Sequence, residues 1–156
     1  MLRTVWVGIL AFLADRVSKQ LVMDGLQASA SKTIWKGVLD IVYTQNTGMA
    51  FSILANRTWL LIALSIVALI LMVLALKSAL PGTRTHNVLL WLLLAGGLGN
   101  LLDRLLFGYV VDFVQIRLFR FPVFNIADIC LTVSAVLLIV ALFRHPKETE
   151  SEQKSA

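Results

Sequence analysis

A single cysteine, Cys130, is all the thiol chemistry this chain has. It lies inside an apolar run, so neither an intramolecular disulfide nor a thiolate metal cluster can form within the chain, and a small packing residue is the expected role. Histidine is almost as scarce. His86 and His145 fall in polar segments away from the other candidate groups, which removes His-based metal sites and Ser-His nucleophile schemes. Charge is scarce too, at 15% of residues against 58% hydrophobic, with a mean hydropathy of +0.83. A soluble core built from 156 residues cannot hide that much apolar surface, so lipid is the better solvent for the middle of the chain. No internal repeat or low-complexity stretch is visible.

The charge that is present sums to +5, with a pI near 9.8. Nucleic-acid binding would need basic residues clustered with stacking aromatics. Here they are dispersed at the ends of apolar runs, where Lys and Arg face anionic lipid headgroups. No nucleic-acid partner is expected.

Trp59 to Leu76 is apolar except for Ser65, and at about 1.5 Å per residue it nearly crosses a hydrocarbon layer of about 30 Å. Three further spans, each interrupted by polar groups, are predicted at about Thr4 to Met23, Asn87 to Phe107 and Asn125 to Phe143. The first is read as a retained helix and not a cleaved signal, because Asp15, Arg16 and Lys19 lie in its second half. The expected fold is an all-α membrane protein of four transmembrane helices with a small extracytoplasmic β-element. Residues 1–145 would form the membrane domain, with loops at about 24–57 and 108–123, and 146–156 a disordered cytoplasmic tail. Strand-like alternation at Leu39, Ile41 and Tyr43 precedes the turn signal Asn46-Thr47-Gly48, and 110–124 alternates similarly. Charge bias barely sets the orientation: Arg3, Lys77, Arg84, Arg144, Lys147 and Lys154 oppose Lys32, Lys36, Arg57, Arg117 and Arg120. It leans slightly towards cytoplasmic termini.

Ionisable groups inside a span are costly and face a bundle interior or a wet cavity. Asp15, Ser18 and Lys19 lie late in span one, Asn100, Asp103 and Arg104 late in span three, and Asn125 and Asp128 at the start of span four. Alternating span directions bring all three groups to one membrane face, together with Asp112 and both long loops. Within each group the spacing of three or four residues shares a helix face. Gly96, Gly97 and Gly99 allow another backbone to approach there. Asp15 has Arg16 and Lys19 nearby and Asp103 is next to Arg104, so these two carboxylates read as structural. Asp112 and Asp128 have no basic neighbour within four residues. Two such carboxylates in a partly desolvated site share a proton: one activates water while its protonated partner polarises a scissile carbonyl. Neither role requires a metal or cofactor. Whether the two lie close together is beyond the residues alone.

Five blocks in order carry a resemblance: Asp15-Arg16-Val17-Ser18-Lys19, Asn46-Thr47-Gly48-Met49-Ala50-Phe51, the stretch from Gly96 to Asp103-Arg104, Val111-Asp112-Phe113, and Phe124-Asn125-Ile126-Ala127-Asp128. In these the chain resembles the bacterial lipoprotein signal peptidases, or signal peptidase II, from Asp15 to about Phe143. The resemblance implies four membrane helices in the cytoplasmic (inner) membrane, cytoplasmic termini, and an extracytoplasmic β-element beside a short helix. It also implies an aspartic dyad at Asp112 and Asp128. Such enzymes remove signal peptides from diacylglyceryl-modified prolipoproteins just before the lipid-modified cysteine, and globomycin blocks them. By position, Asn46, Asn100, Arg104 and Asn125 would bind substrate or order the dyad. Asp15, Lys19 and Asp103 would support the site, and Gly48 would lie in a loop covering the peptide. The expected partners are those precursors, membrane lipid and globomycin-type inhibitors, with the enzyme a monomer. The chain departs from the pattern in two places: Ala95-Gly96-Gly97-Leu98-Gly99 stands where members often have Gly-Gly-Ala-Leu-Gly, and Val114-Gln115 follows Asp112-Phe113 where many members carry a second acidic residue.

Three other readings compete. A proton relay through Asp15, Asp103 and Asp128 needs polar groups through the depth of the bilayer, and span two has almost none. A Ser18–Lys19 protease would place adjacent helical side chains roughly 100° apart. An assembly factor leaves the isolated Asp112 and Asp128 without a purpose.

Overall fold

A computed structural model describes residues 2–26, 31–48, 53–79 and 83–144. Met49, Ala50, Phe51, His145 and the expected tail lie outside these residues.

Four helices carry the apolar runs: α1 (Leu2–Gly25), α2 (Thr58–Ala79), α3 (Arg84–Phe107) and α4 (Ile126–Arg144). Helices α1, α2 and α3 run one to three residues past the apolar pattern at one or both ends, and α4 is shifted by one residue. Thr83 opens α3 by accepting a bond from the His86 amide at 2.9 Å. Gly108, at φ 80°, closes α3 in the left-handed conformation that favours glycine, donating its amide to the Arg104 carbonyl. Two of the helices, over Thr58–Ser78 and Arg84–Phe107, are long and apolar enough to cross a membrane. Large apolar side chains cover the outside. On α1, Trp6, Leu10, Leu13, Val17 and Leu21 form an exposed stripe at helical spacing, and on α2 Trp59 is 81% exposed.

Helix α3 is central and packs against the other three. Its glycines permit this. A Cβ on Gly96 would lie 2.5 Å from the Ala127 carbonyl oxygen of α4, and one on Gly99 would lie 2.8 Å from an Asp15 oxygen of α1. Cys130 is buried beside Gly96, the packing role expected of it. His86 departs from its expected polar setting. It is buried in the first turn of α3, with Nδ1 3.1 Å from the Leu76 carbonyl, at the end of the helix away from Asp103.

Three antiparallel strands, β1 (Ser31–Trp35), β2 (Leu39–Asn46) and β3 (Val110–Ile116), form one sheet in that order. A tight turn through Gly37, at φ 76°, joins β1 to β2. Between Ile41 and Thr44 the register with β3 shifts by one, and the shift sets Thr44 opposite Asp112 and Asn46 opposite Val110. One sheet face packs on the bundle through Val22, Tyr43, Val111 and Phe113. A second cluster, Leu76, Leu89, Leu90 and Leu138, holds the far end of the bundle. The short helix implied by the resemblance is not seen among the described residues.

The chain after β3 turns back on it. Phe124 accepts the Phe113 and Val114 amides and donates its own to Val114. This return delivers Asn125, and the start of α4, to the side of Asp112.

Candidate active site

Polar residues from α1, β2, α3, β3 and α4 meet at one end of the bundle and fall into two linked groups. The first is an ion cluster. Lys19 is 1% exposed, and its three donors reach Asp15 at 3.0 Å, Asp103 at 2.8 Å and the Asn100 carbonyl oxygen at 2.9 Å. An ammonium has three hydrogens, and three acceptors satisfy it. Arg16 adds bonds to Asp103 at 2.7 Å and Asp15 at 3.1 Å. The remaining capacity of the two carboxylates goes to backbone: Asp15 accepts the Ala127 amide at 3.0 Å and Asp103 the Val111 amide at 3.3 Å. The cluster thus ties α1 and α3 to the first turn of α4 and to β3. The sequence pairing of Asp103 with Arg104 is corrected here. Adjacent helical residues diverge by about 100°, so Arg104 turns away and donates to the Gly48 carbonyl at 3.1 Å.

The second group contains Asp112 and Asp128. Asp112, on β3, is 2% exposed and accepts from the Asn46 amide nitrogen on one oxygen and from that of Asn125 on the other, each at 2.7 Å. Asp128, half-buried on α4, accepts from the Asn100 side chain at 2.7 Å and the Asn125 backbone amide at 3.1 Å. Neither makes an ion pair among the described residues. Both line one cavity of about 520 Å³, together with Asn46, Asn100 and Arg104. Burial, then the negative charge of Asp128, pushes the Asp112 carboxyl up to about 7, against the opposing hydrogen bonds from Asn46 and Asn125. Near neutrality Asp112 therefore keeps a proton that an exposed aspartate would lose.

Asn125 organises this pair. Its side-chain oxygen accepts the Asp128 amide at 2.9 Å while Asp128 accepts the Asn125 amide, a reciprocal capping box at the start of α4. The expectation that Asn125 and Asp128 share a helix face is refined accordingly: Asn125 is the cap. Its amide nitrogen is left to hold Asp112, and it also lies 3.2 Å from the Asn100 oxygen. Gly48 contributes backbone, donating its amide to the Asn46 oxygen at 2.9 Å and offering its carbonyl to Arg104. The structure thus gathers Asp15, Lys19, Asn46, Gly48, Asn100, Asp103, Arg104, Asp112, Asn125 and Asp128 into one connected region. Ser18 stands apart, bonded to the Asp15 carbonyl at 3.0 Å.

One interaction had no sequence signal. Asp40, buried on β2, is gripped by Arg117 beyond β3. The two are far apart in the chain, and only the sheet register brings them together. The Asn125-to-Asp128 spacing did carry a signal, that of a helix-start capping box. No group of three His, Cys, Asp or Glu side chains that could hold a metal occurs among the described residues.

Two solved structures, both bacterial membrane enzymes determined by the in meso method, share this architecture. One, at 2.3 Å resolution, has a TM-score of 0.80 and 27% identity, covering 97% of this chain and 94% of its own. The other, at 1.9 Å, has a TM-score of 0.76 and 28% identity over 94% and 96%. The class is therefore that of helix-rich bacterial membrane enzymes. More narrowly, the family model for signal peptidase (SPase) II matches residues 7–144, and the chain belongs to that family of peptidases. Lipoprotein signal peptidases of Halothermothrix orenii and Lactiplantibacillus plantarum are 39% and 36% identical to it. Each alignment covers 90% of this chain, and 95% and 96% of the respective relatives.

Proposed function

We propose that this protein is an intramembrane aspartic endopeptidase that removes signal peptides from diacylglyceryl-modified prolipoproteins, cutting just before the lipid-modified cysteine. The observation that carries the reading is the pair Asp112 and Asp128: two carboxylates in one cavity, held by amide donors and by no cation of their own. Asp128 acts as the base that takes a proton from water. Protonated Asp112 polarises the scissile carbonyl and then protonates the leaving amine. The proton that Asp112 gives to the leaving amine is matched by the one that Asp128 takes from water, so the pair ends with one proton, and its return from Asp128 to Asp112 closes the cycle.

The surrounding residues prepare this step. Lys19 fixes the Asn100 oxygen, which turns the Asn100 nitrogen towards Asp128. Asn46 and Asn125 hold Asp112 from two sides. Arg104 anchors the Gly48 backbone beside the cavity. A second cavity, of about 630 Å³ between α2, α3 and α4, reaches the same Asn100, Arg104 and Asp128 from the apolar outer surface. That opening supports lateral entry of a lipid-bearing substrate.

All four helices span the bacterial inner membrane in this reading, as one domain with cytoplasmic termini and the sheet and dyad near the extracytoplasmic face. The exposed apolar stripes on α1 and α2 support it. The enzyme works as a monomer and is blocked by globomycin-type peptides.

The test is cleavage by the purified protein of one precursor prepared with and without the diacylglyceryl group. The expected product begins at the modified cysteine, and the unmodified precursor stays intact. Equal cutting of both, or a product starting elsewhere, removes the substrate assignment.

A further inference from the structure

Two cavities meet at Asp112, and they differ in character. The one that also holds Asp128 runs back along α4 past Ile129, Leu131 and Val133. The other, about 740 Å³, shares Asn46 and Asp112 with it but extends over the sheet, past Thr44 and Gln115 to Arg117 and Arg120. Asp112 is the only carboxylate among the residues lining this second groove.

Its two arginines are not equivalent. Arg117 is held by the buried Asp40 carboxylate through two of its guanidinium nitrogens. Arg120 is exposed and makes no ion pair among the described residues. The groove therefore carries one positive charge without an ion-pair partner among the described residues, and such a charge draws a negative group towards it.

A peptide whose bond is cut at Asp112 must extend both ways from that point. Its apolar, signal-peptide side suits the cavity along α4. The residues after the cut are left with the polar groove. From Asp112 to Ile116 the strand runs roughly 13 Å at about 3.3 Å per residue, room for about four extended residues.

Resting on the peptidase reading above, we infer that Thr44, Gln115 and Arg120 form a specificity site for the residues that follow the lipid-modified cysteine, one that favours acidic side chains there over basic ones. Arg120 supplies the charge discrimination, and Thr44 and Gln115 supply neutral hydrogen-bonding partners. Arg117, already neutralised by Asp40, shapes the wall. Because Arg120 is solvent-exposed, the effect is modest: about fivefold between acidic and basic precursors, shrinking as salt is raised.

Three diacylglyceryl-modified precursors test this, identical except that the second and third residues after the cut are Gly-Ser, Asp-Asp or Lys-Lys. Each is offered to wild type and to Arg120→Glu, a change at an exposed side chain. Wild type is expected to cut the acidic precursor about fivefold better than the basic one in kcat/KM, mainly through KM, and Arg120→Glu to reverse the order. The same acidic-to-basic ratio in both enzymes overturns the specificity site. The Gly-Ser precursor separates the two layers of argument. If wild type cuts it while the ratio ignores residue 120, only this inference fails, and if wild type leaves it uncut, the peptidase reading beneath it fails.

Discussion

Two pairs of aspartates sit at the same end of this bundle in opposite electrostatic settings. Asp15 and Asp103 are buried against Lys19 and Arg16, so two negative charges meet two positive ones. Asp112 and Asp128, one amide bridge away through Asn100 and Asn125, meet only neutral donors. Amide hydrogen bonds orient a carboxylate and favour its charge, but they carry no net charge to offset burial. Neutralised carboxylates lock helices together. Carboxylates left without counterions keep a proton to exchange, and on our reading the fold uses the first pair to hold the second in place.

Removing either member of the second pair should have the largest effect on rate. Asp112→Asn and Asp128→Asn are each expected to lower kcat by about 10³-fold or more, the scale of general acid–base catalysis, with unchanged helicity and detergent stability. Precursor cleavage alongside circular dichroism checks this. Retained activity in either variant would place the chemistry elsewhere.

The first pair should fail differently. Lys19→Met leaves two buried carboxylates without their shared cation, a change expected to destabilise the protein by about 3–5 kcal/mol and to lower activity through lost folded protein. Lys19→Arg is not expected to rescue it, because a planar fork cannot reproduce three converging ammonium bonds. Thermal denaturation in detergent reads the difference. A fully stable but inactive Lys19→Met would move Lys19 out of the structural pair.

Between the two lies Asn46. Its bond favours the charged form of Asp112, so Asn46→Ala should raise that carboxyl further above about 7. In the proposed mechanism the active form needs a proton on the pair. Wild-type activity should therefore fall as pH rises through about 7, and in Asn46→Ala the alkaline limb should move to higher pH. The maximal rate should also drop about tenfold, the scale of a lost bond to a charged group. A pH–rate profile of both enzymes checks the sign, and a limb moving to lower pH would contradict it.

The far end of α3 should be the quietest. Thr83→Ala removes an N-cap and is expected to cost about 1 kcal/mol in stability. Precursor cleavage at low temperature should be unchanged.

Much of this arrangement was legible in the sequence because long apolar runs carry little charge. Every ionisable residue within such a run is conspicuous, and alternating helix directions bring Asp15, Asp103 and Asp128 to one end. The isolation of Asp112 and Asp128 from cations could also be read locally. Partner choice could not. The chain sets Asp103 beside Arg104, whereas helix geometry gives it Arg16 and Lys19 from another helix. The Asp40–Arg117 bond depends on the register of two strands that the chain joins only after two helices. His86 looked polar by its surroundings in the chain and is buried once α2 and α3 pack.

The central claim is that the pair lacking counterions holds a proton near neutral pH. Infrared difference spectroscopy of the purified protein, following the carbonyl absorption of protonated carboxylic acids from pH 5 to 9, tests it directly. A carboxylic-acid band that persists to neutral pH, titrates away near pH 7 and vanishes in Asp112→Asn is the predicted result. A wild-type spectrum with no such band at pH 6, or one that Asp112→Asn leaves untouched, would contradict the account.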